Sequence, residues 1–414
     1  METNTNRHIS TFYSANRNKT VLSIFVVFFL FLFSECVFTS KVEDPVIYLK
    51  AENNTLVGSV KCRQCHEEIY NDYLATAHKK TSAKANSKNV RGSFKEGENS
   101  FVFNFYDGVV MQDLDSGLYQ VNFLNRKFDK AYRFDIVVGS ATRGQSYLYW
   151  NDDRLFQLPI SYFTNTDTWS NSPGYSDDVA YFGRGIGSQC VGCHASYAEV
   201  IPDNKSRFER FDKDNIIYGV NCERCHGPGG NHVELFSKNP NYKGANFIVN
   251  AKNLSQRQQL DACGVCHSSI TKDLKNALYF KTGDTLYRHA SIINDTSMSL
   301  DVHGNQYGLL QQSMCFVKSA KMTCSTCHDP HKQERGDFTV YSQRCMNCHT
   351  EKNTDFSKMV AGVSKEVIMQ NCIDCHMPNK ESKMLNVKLS MDSKIKPAVI
   401  RTHLVGIYPP SKKP

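Results

Sequence analysis

Long apolar runs, which a membrane-spanning helix needs, are scarce in this chain. Its N-terminal apolar stretch, Val21 to Phe33, covers 13 residues. As a helix this stretch would be about 20 Å long, whereas a bilayer core is about 30 Å thick. Basic residues precede it and polar residues follow it, which predicts a secretory signal peptide over residues 1–40. An N-terminal membrane anchor extended to Phe38 is the alternative, and lipidation at Cys36 is a further one.

Cysteine is scarce outside one motif. Cys-x-x-Cys-His occurs seven times and contains 14 of the 16 cysteines and 7 of the 14 histidines. Two thiols at this spacing add to the vinyl groups of one haem, and the adjacent histidine binds its iron. A zinc knuckle needs two cysteine pairs per metal, a thioredoxin-like site needs one pair per domain, and a disulfide needs no histidine at a fixed offset.

The motif therefore predicts seven covalently bound haem c groups, each with its iron. The predicted haem-binding residues are Cys62, Cys65, His66, Cys190, Cys193, His194, Cys222, Cys225, His226, Cys263, Cys266, His267, Cys324, Cys327, His328, Cys345, Cys348, His349, Cys372, Cys375 and His376.

Few residues separate the motifs. Six of them lie between Cys190 and His376, which leaves about 31 residues per haem, too few for six separate apolar cores. The porphyrins would supply much of the buried surface, so the chain without haem is not expected to fold. We predict a mainly α and irregular multihaem cytochrome c fold packed around seven haems. It has a first haem-binding segment over residues 58–93 and a hexahaem cytochrome domain over residues 190–408.

The hydrophobic pattern changes between the first and second motifs. Phenylalanines alternate along residues 101–105, and this period of two predicts a β-rich insert over residues 94–165. Within the insert, residues 147–158 have the pattern of a hairpin. Gly, Ser, Asn and Asp are frequent over residues 166–189, which predicts a linker into the hexahaem domain.

Histidines outside the motifs are too few to give every iron a second one. The short helix predicted over residues 67–80 would place His78 about 18 Å beyond His66, so His78 would serve another haem. Neither His232 nor His331 can reach around the haem of its own motif. At least one iron therefore has a methionine, a lysine, another ligand or an open position. The alternative for each histidine outside the motifs is that it is an ordinary surface residue and binds no iron. The candidate second ligands are His78, His232, His289, His303, His331 and His403.

Longer segments around the motifs carry a family resemblance. They are GSQCVGCHASY, YGVNCERCHGPGGNHVE, MTCSTCHDPHK, NCIDCHMPN and RTHLVGIY. With them, residues 58–408 resemble the multihaem cytochromes of the c-552/c-554 type, here with seven haems. The resemblance implies stacked and perpendicular haem pairs, mostly bis-histidine ligation, and His78, His232 and His331 as distal ligands. The Cys-x-x-Cys-Lys motif of one nitrite reductase group is missing from this sequence.

Closely packed haems predict electron transfer. We expect an exported electron carrier of a respiratory chain, in the periplasm or at the outer cell surface. Its partners would be redox proteins as donor and acceptor and the cytochrome c maturation machinery. We predict no nucleic-acid partner despite the formal charge of +8. The propionates of seven haems would add roughly fourteen negative charges and so offset it.

Two other functions fit the same motifs. One is a multihaem oxidoreductase that reduces or oxidises a small nitrogen or sulfur compound at the incompletely ligated haem, although no catalytic residue is assigned. The other is a subunit of an extracellular cytochrome filament, in which a neighbouring subunit would supply the missing ligand.

Overall fold

The predicted signal peptide or anchor, with Cys36, lies outside the residues that the structure describes. No helix in the described part of the chain is both long and apolar enough to cross a bilayer. The computed structural model describes residues 54–176, 178–268, 270–271, 277–289, 291–292, 300–350, 364–391 and 393–408.

Short helices carry the haem motifs. Short 3₁₀ helices cover Ala251–Asn253, Ala277–Tyr279, Leu286–Arg288 and Cys324–Thr326. The α-helices are α1 (Ser59–Arg63), α2 (Glu67–Ala75), α3 (Ser188–His194), α4 (Cys222–His226), α5 (Gly230–Lys238), α6 (Gln256–His267), α7 (Gln306–Gln311), α8 (Met314–Val317), α9 (Phe338–Met346), α10 (Lys365–Gln370) and α11 (Ile373–His376).

Strands contain about as many of the described residues as helices do, so the prediction of a mainly α fold is corrected to a mixed one. Strand pairs form in the insert and also directly after two haem motifs, as β12–β13 and β16–β17. The strands are β1 (Ser82–Lys84), β2 (Ser100–Val102), β3 (Gly108–Leu114), β4 (Gly117–Leu124), β5 (Lys127–Arg133), β6 (Ile136–Val138), β7 (Gly144–Asn151), β8 (Arg154–Gln157), β9 (Ile160–Phe163), β10 (Thr168–Asn171), β11 (Arg184–Ile186), β12 (Ala195–Ile201), β13 (Arg210–Tyr218), β14 (Ile270–Thr271), β15 (Ser291–Ile292), β16 (Asn379–Val387) and β17 (Lys396–Arg401).

The strands between the first two motifs form two antiparallel sheets. One is the meander β2-β3-β4-β5, and the other has the order β1-β6-β7-β8-β11, with β9 on β7 and β10 on β9. The predicted linker, residues 166–189, thus contains two paired strands, β10 and β11. The sheet also includes β1, from the predicted first haem-binding segment. The sheets therefore extend on both sides of the predicted insert.

An aromatic core lies between these sheets. Phe101 and Phe103 are buried together with Tyr147 and Trp169. Phe105, which the alternation put on the same face, is 66% exposed. The strand has ended before it, at Val102, and the chain then turns. The predicted hairpin is formed by β7 and β8, which join through Asn151 opposite Arg154.

Candidate haem sites

Each motif forms a helical turn or ends a helix. The backbone N–H of His66, His328, His349 and His376 donates to the carbonyl of the first cysteine of its own motif, at 2.9 to 3.1 Å. The remaining motifs lie in α3, α4 and α6. Residues three apart share one face of a helix. Both thiols of a motif can therefore meet one porphyrin edge, with the histidine one position beyond.

Motifs distant in sequence lie side by side. Cys193 Sγ lies 3.7 Å from the carbonyl oxygen of Val265, inside the fourth motif, and Arg344 Nη1 donates to the carbonyl of Cys327 at 2.8 Å. Cysteines of different motifs also lie next to one another in four pairs, which are Cys62 with Cys222, Cys193 with Cys266, Cys263 with Cys324, and Cys345 with Cys372.

Three motif histidines face a second imidazole. An iron between two imidazoles, with Fe–N bonds of about 2 Å and a ring radius of about 1 Å, would separate the ring centroids by roughly 6 Å. The observed separations are 6.3 Å for His78 and His267, 6.0 Å for His226 and His331, and 6.1 Å for His328 and His403. These spacings fit bis-histidine ligation of haem iron.

A cavity of about 590 Å³ lies beside the large sheet and the second motif. His194 and Cys190 of the second motif line it, and so does His303, which comes from a distant segment of the chain. Burial lowers the pKa of His194, and the nearby His303 lowers it further. Arg143 and Arg184 also line the cavity, and guanidinium groups suit the carboxylates of a haem. The cavity volume is within the usual range for a cofactor site.

Hydrogen bonds orient several of these rings. Nδ1 of His226 lies 2.8 Å from the carbonyl oxygen of Val249, and Nδ1 of His376 lies 2.9 Å from that of Gly406. A carbonyl only accepts, so each Nδ1 carries the proton and the lone pair is on Nε2, the nitrogen left for a metal.

Burial favours the neutral form of four of these imidazoles. Desolvation lowers the pKa of His267 and of His403 to about 4 in each case. It also lowers the pKa of His78 and of His328. The neutral ring is the form that binds iron. The donor set of paired cysteines and facing neutral imidazoles thus fits covalently bound haem c.

Comparison with known proteins agrees with this chemistry. The family Cytochrome c554 and c-prime matches residues 61–100 and 177–227, which include the first three motifs. The multiheme cytochrome MtrA of Shewanella baltica (strain OS185) is 27% identical over 179 residues, which are 39% of this chain and 52% of that protein. The chain is a multihaem c-type cytochrome. It matches about half the length of this curated relative.

The fold of this cytochrome also has a solved counterpart. The crystal structure of the outer cell wall cytochrome OcwA superposes with a TM-score of 0.53, at 16% identity, over 84% of this chain and 79% of that one. At this identity the likeness shows the fold alone. The seven Cys-x-x-Cys-His motifs of this cytochrome are the attachment sites expected for covalently bound haem c.

Two predicted ligands lie elsewhere. Nδ1 of His232 lies 2.9 Å from the carbonyl oxygen of Asn246. Nε2 of His289, by contrast, lies 2.6 Å from Oδ2 of Asp284. Within the described ranges, neither ring is paired with a motif histidine.

The two residues between the cysteines of the third motif make contacts that the sequence did not predict. Buried Glu223 accepts hydrogen bonds at 2.9 Å from the N–H groups of Val57 and Gly58, just before the first motif. Arg224 donates to the carbonyls of Gly192, at 3.2 Å, and Phe280, at 2.9 Å. Residues between the two cysteines of a motif do not bind haem. Two adjacent charged residues at these positions could still have indicated contacts with neighbouring segments.

Cys315 was also missed, because a single cysteine forms no motif. It lies near Cys327 and Cys348 of the fifth and sixth motifs, and burial raises its pKa. This thiol is not part of a Cys-x-x-Cys-His motif, so it would not be used in haem attachment.

Proposed function

We propose that this cytochrome holds seven haem c groups and passes electrons along them in a respiratory chain outside the cytoplasm. When bound, each haem supplies a one-electron iron couple. The chain's own residues would fix the spacing of the sites and would supply two imidazoles at four of the irons. The observation that carries the proposal is the set of facing imidazoles at 6.0 to 6.3 Å.

Two axial histidines close the coordination of an iron, which suits electron transfer rather than substrate binding. We infer that His78 serves the iron of His267, His331 that of His226, His403 that of His328, and His303 that of His194. Each of these second ligands comes from a segment outside the motif that it serves, so the ligands tie the sites to one another.

Contacts between motifs support a continuous series of sites. The first motif contacts the third through Cys62 and Cys222, and the fourth contacts the fifth through Cys263 and Cys324. The third and fourth are linked by Cys225 near Cys266. The fifth and sixth are linked by the hydrogen bond from Arg344 to the carbonyl of Cys327, and the sixth and seventh by the neighbouring Cys345 and Cys372. We propose this order, with the second motif beside the fourth, as the electron path.

The N-terminal stretch supports export to the periplasm or outer cell surface, with membrane association if the anchor is retained. We propose redox proteins as donor and acceptor, cytochrome c maturation machinery as the assembly partner, and no nucleic acid. The proposed organisation has a first haem-binding segment (58–93), a β-rich insert (94–165) and a hexahaem domain (190–408).

Intact mass before and after haem removal tests the proposal. We expect a difference of seven haems, and all reduced haems should be reoxidised together by one acceptor protein. A mass corresponding to fewer than seven haems would contradict the proposed count. Haems that stay reduced while the rest are oxidised would contradict a connected path.

A further inference from the structure

Both rings of the third site use their outer nitrogen in a hydrogen bond. Nδ1 of His226 lies 2.8 Å from the carbonyl oxygen of Val249, whereas Nδ1 of His331 lies 3.2 Å from Oδ1 of Asp329. The two rings face each other at 6.0 Å between centroids, with 14° between their planes. Because each Nδ1 is bonded to an oxygen, Nε2 of both rings is left for an iron between them.

Asp329 contacts His331 at two points. Its Oδ1 accepts the backbone N–H of His331 at 2.9 Å and also lies 3.2 Å from Nδ1 of the ring. The backbone N–H of Asp329 in turn donates to the carboxylate of Glu334 at 3.2 Å. Pro330 lies between the two residues, and its ring fixes φ at about −65°. The carboxylate therefore belongs to a stiff turn that holds it against the His331 ring.

Nearby basic side chains are paired with other carboxylates. Lys332 Nζ lies 3.5 Å from Oδ2 of Asp72, and Arg344 Nη2 lies 2.6 Å from Oε1 of Glu334. Neither Lys332 nor Arg344 forms an ion pair with Asp329. Neither of them therefore neutralises the carboxylate beside the ring.

The second and fifth motifs have neutral partners at the same position. Nδ1 of His194 lies 3.0 Å from the hydroxyl oxygen of Thr81, and Nδ1 of His328 lies 3.3 Å from that of Tyr341. A charged acceptor forms a stronger hydrogen bond than a neutral one. The outer partner therefore distinguishes the third site from the second and the fifth.

We propose that Asp329 is a positioning residue that lowers the reduction potential of the third site by acting on the imidazole of His331. A carboxylate that accepts the outer N–H of an imidazole makes the ligand nitrogen more basic. A more basic ligand stabilises Fe(III) relative to Fe(II), so the one-electron reduction occurs at a lower potential. The inference rests on the proposed function, in which His331 serves the iron of His226.

This site has a particular place in the proposed electron path. It lies between the first and fourth sites, through the contacts of Cys222 with Cys62 and of Cys225 with Cys266. Lowering the potential of its iron makes that iron harder to reduce, so an electron that crosses from the first site to the fourth passes it more slowly. Asp329 therefore sets how fast the first site exchanges electrons with the others.

A redox titration of the purified holoprotein, followed by low-temperature EPR, tests the role of Asp329. Asp329→Asn keeps an oxygen that can accept both N–H groups and removes the charge. We expect one low-spin signal to titrate at a higher potential than in the native protein, with the other signals and the haem content unchanged. Asp284→Asn is the matched control: this carboxylate is 2.6 Å from the ring of His289, which faces no motif histidine in the described ranges. It should shift no signal.

His331→Ala identifies the signal, because the low-spin signal lost in this variant belongs to the third site. The signal shifted in Asp329→Asn should be the same one. If that signal keeps its native potential in Asp329→Asn while His331→Ala still converts it to high spin, the inference is overturned and the ligation stands. If His331→Ala changes no spin state, the proposed ligand assignment and the inference are both wrong. A haem count below seven with the shift present would support the inference and contradict only the proposed count.

Discussion

At the residue scale, the fifth motif and the short loop after it place two histidines against different partner rings. His328 belongs to the motif, and His331, three residues later, faces His226 of the third motif. The side chain of Asp329 accepts a hydrogen bond from the backbone N–H of His331 at 2.9 Å and lies 3.2 Å from its Nδ1. Asp329 therefore fixes the orientation of the His331 ring.

Replacing the ring of His331 should affect the third site and spare the fifth. In His331→Ala we expect the iron of His226 to change from low to high spin, because it loses its second imidazole. EPR measures the spin state, and intact mass should show the full haem content. His289→Ala is the matched control, since that histidine is also beside an aspartate but faces no motif histidine. Loss of the haem at Cys324–His328 would contradict this assignment.

The motifs could be predicted from the sequence because each keeps its thiols and its histidine within five positions. The facing pairs could not, since each joins segments that meet only through the packing of the whole chain. His78 and His331 were predicted to serve other haems, but spacing alone did not say which ones. His289 illustrates the limit: its pairing with Asp284 depends on a local turn that no motif marks.

At the element scale, α4 is connected to its neighbours by the charged residues inside its motif. Arg224 donates hydrogen bonds to backbone carbonyls of α3 and of residues 277–280. Arg224→Leu leaves these carbonyls unpaired and should lower the free energy of unfolding by about 2 kcal/mol. Thermal unfolding of the holoprotein by circular dichroism measures the change. Lys238→Leu is the control: its exposed ion pair should contribute at most about 0.5 kcal/mol.

The β7–β8 hairpin is connected to the strand pair after the second motif by ion pairs. Asp153 contacts Arg210, with 2.7 Å between Oδ2 and Nε, and Arg154 contacts Asp203 at 2.6 Å. The hydrogen bond from Arg210 lowers the pKa of Asp153. A carboxyl with a lowered folded-state pKa stabilises the fold above its unfolded-state pKa of about 4, and this contribution is lost as pH falls through the folded-state value.

Asp153→Asn should therefore lower the melting temperature at neutral pH. The difference from the native protein should shrink as pH falls below about 4, and it should vanish once Asp153 is protonated in the folded protein as well. Asp152→Asn, in the same turn, is the control, because Asn tolerates the left-handed conformation that Asp152 adopts. A gap that stays constant with pH would show that the carboxylate charge does not contribute.

Strand elements were only partly predictable. β3 buries one face along its length, whereas β4 buries three residues in succession, Gln120, Val121 and Asn122, and so parts of both faces. In residues 166–189, Gly, Ser and Asn gave the composition of a linker, yet β10 and β11 complete the sheet there. Small polar residues can occupy such strands because their neighbours, including Ser161 and Ser172, are buried and hydrogen-bonded to one another.

At the scale of the whole molecule, the order of sites in space differs from their order in sequence. The first motif lies beside the third and the second beside the fourth, while the fourth to seventh follow one another. The sheets between the first two motifs pack against the second motif, since Ile136 and Leu148 share a buried cluster with Val191. Strand residues also line the cavity of the second motif.

This division predicts two different dependences on haem. The sheets bury Phe101, Tyr147 and Trp169 in a core made of their own side chains. By contrast, α9 buries only Ser342, and α8 and α10 bury no residue. Burial of apolar surface is the main stabilising contribution to a fold. The chain made without haem should therefore lose α8, α9 and α10 and keep the sheets, rather than unfold completely.

Tryptophan fluorescence can measure whether the sheets stay folded in protein made without the maturation machinery. Trp169 is 2% exposed, and in the Trp150→Phe variant it is the remaining tryptophan. We expect its emission to stay blue-shifted without haem, while far-UV circular dichroism loses helix signal and keeps strand signal. Trp169→Phe, which leaves Trp150 near the second motif's strand pair, is the matched variant and should shift toward the emission of exposed tryptophan. An emission maximum of Trp169 equal to that in denaturant would mean that the sheets, too, need haem to fold.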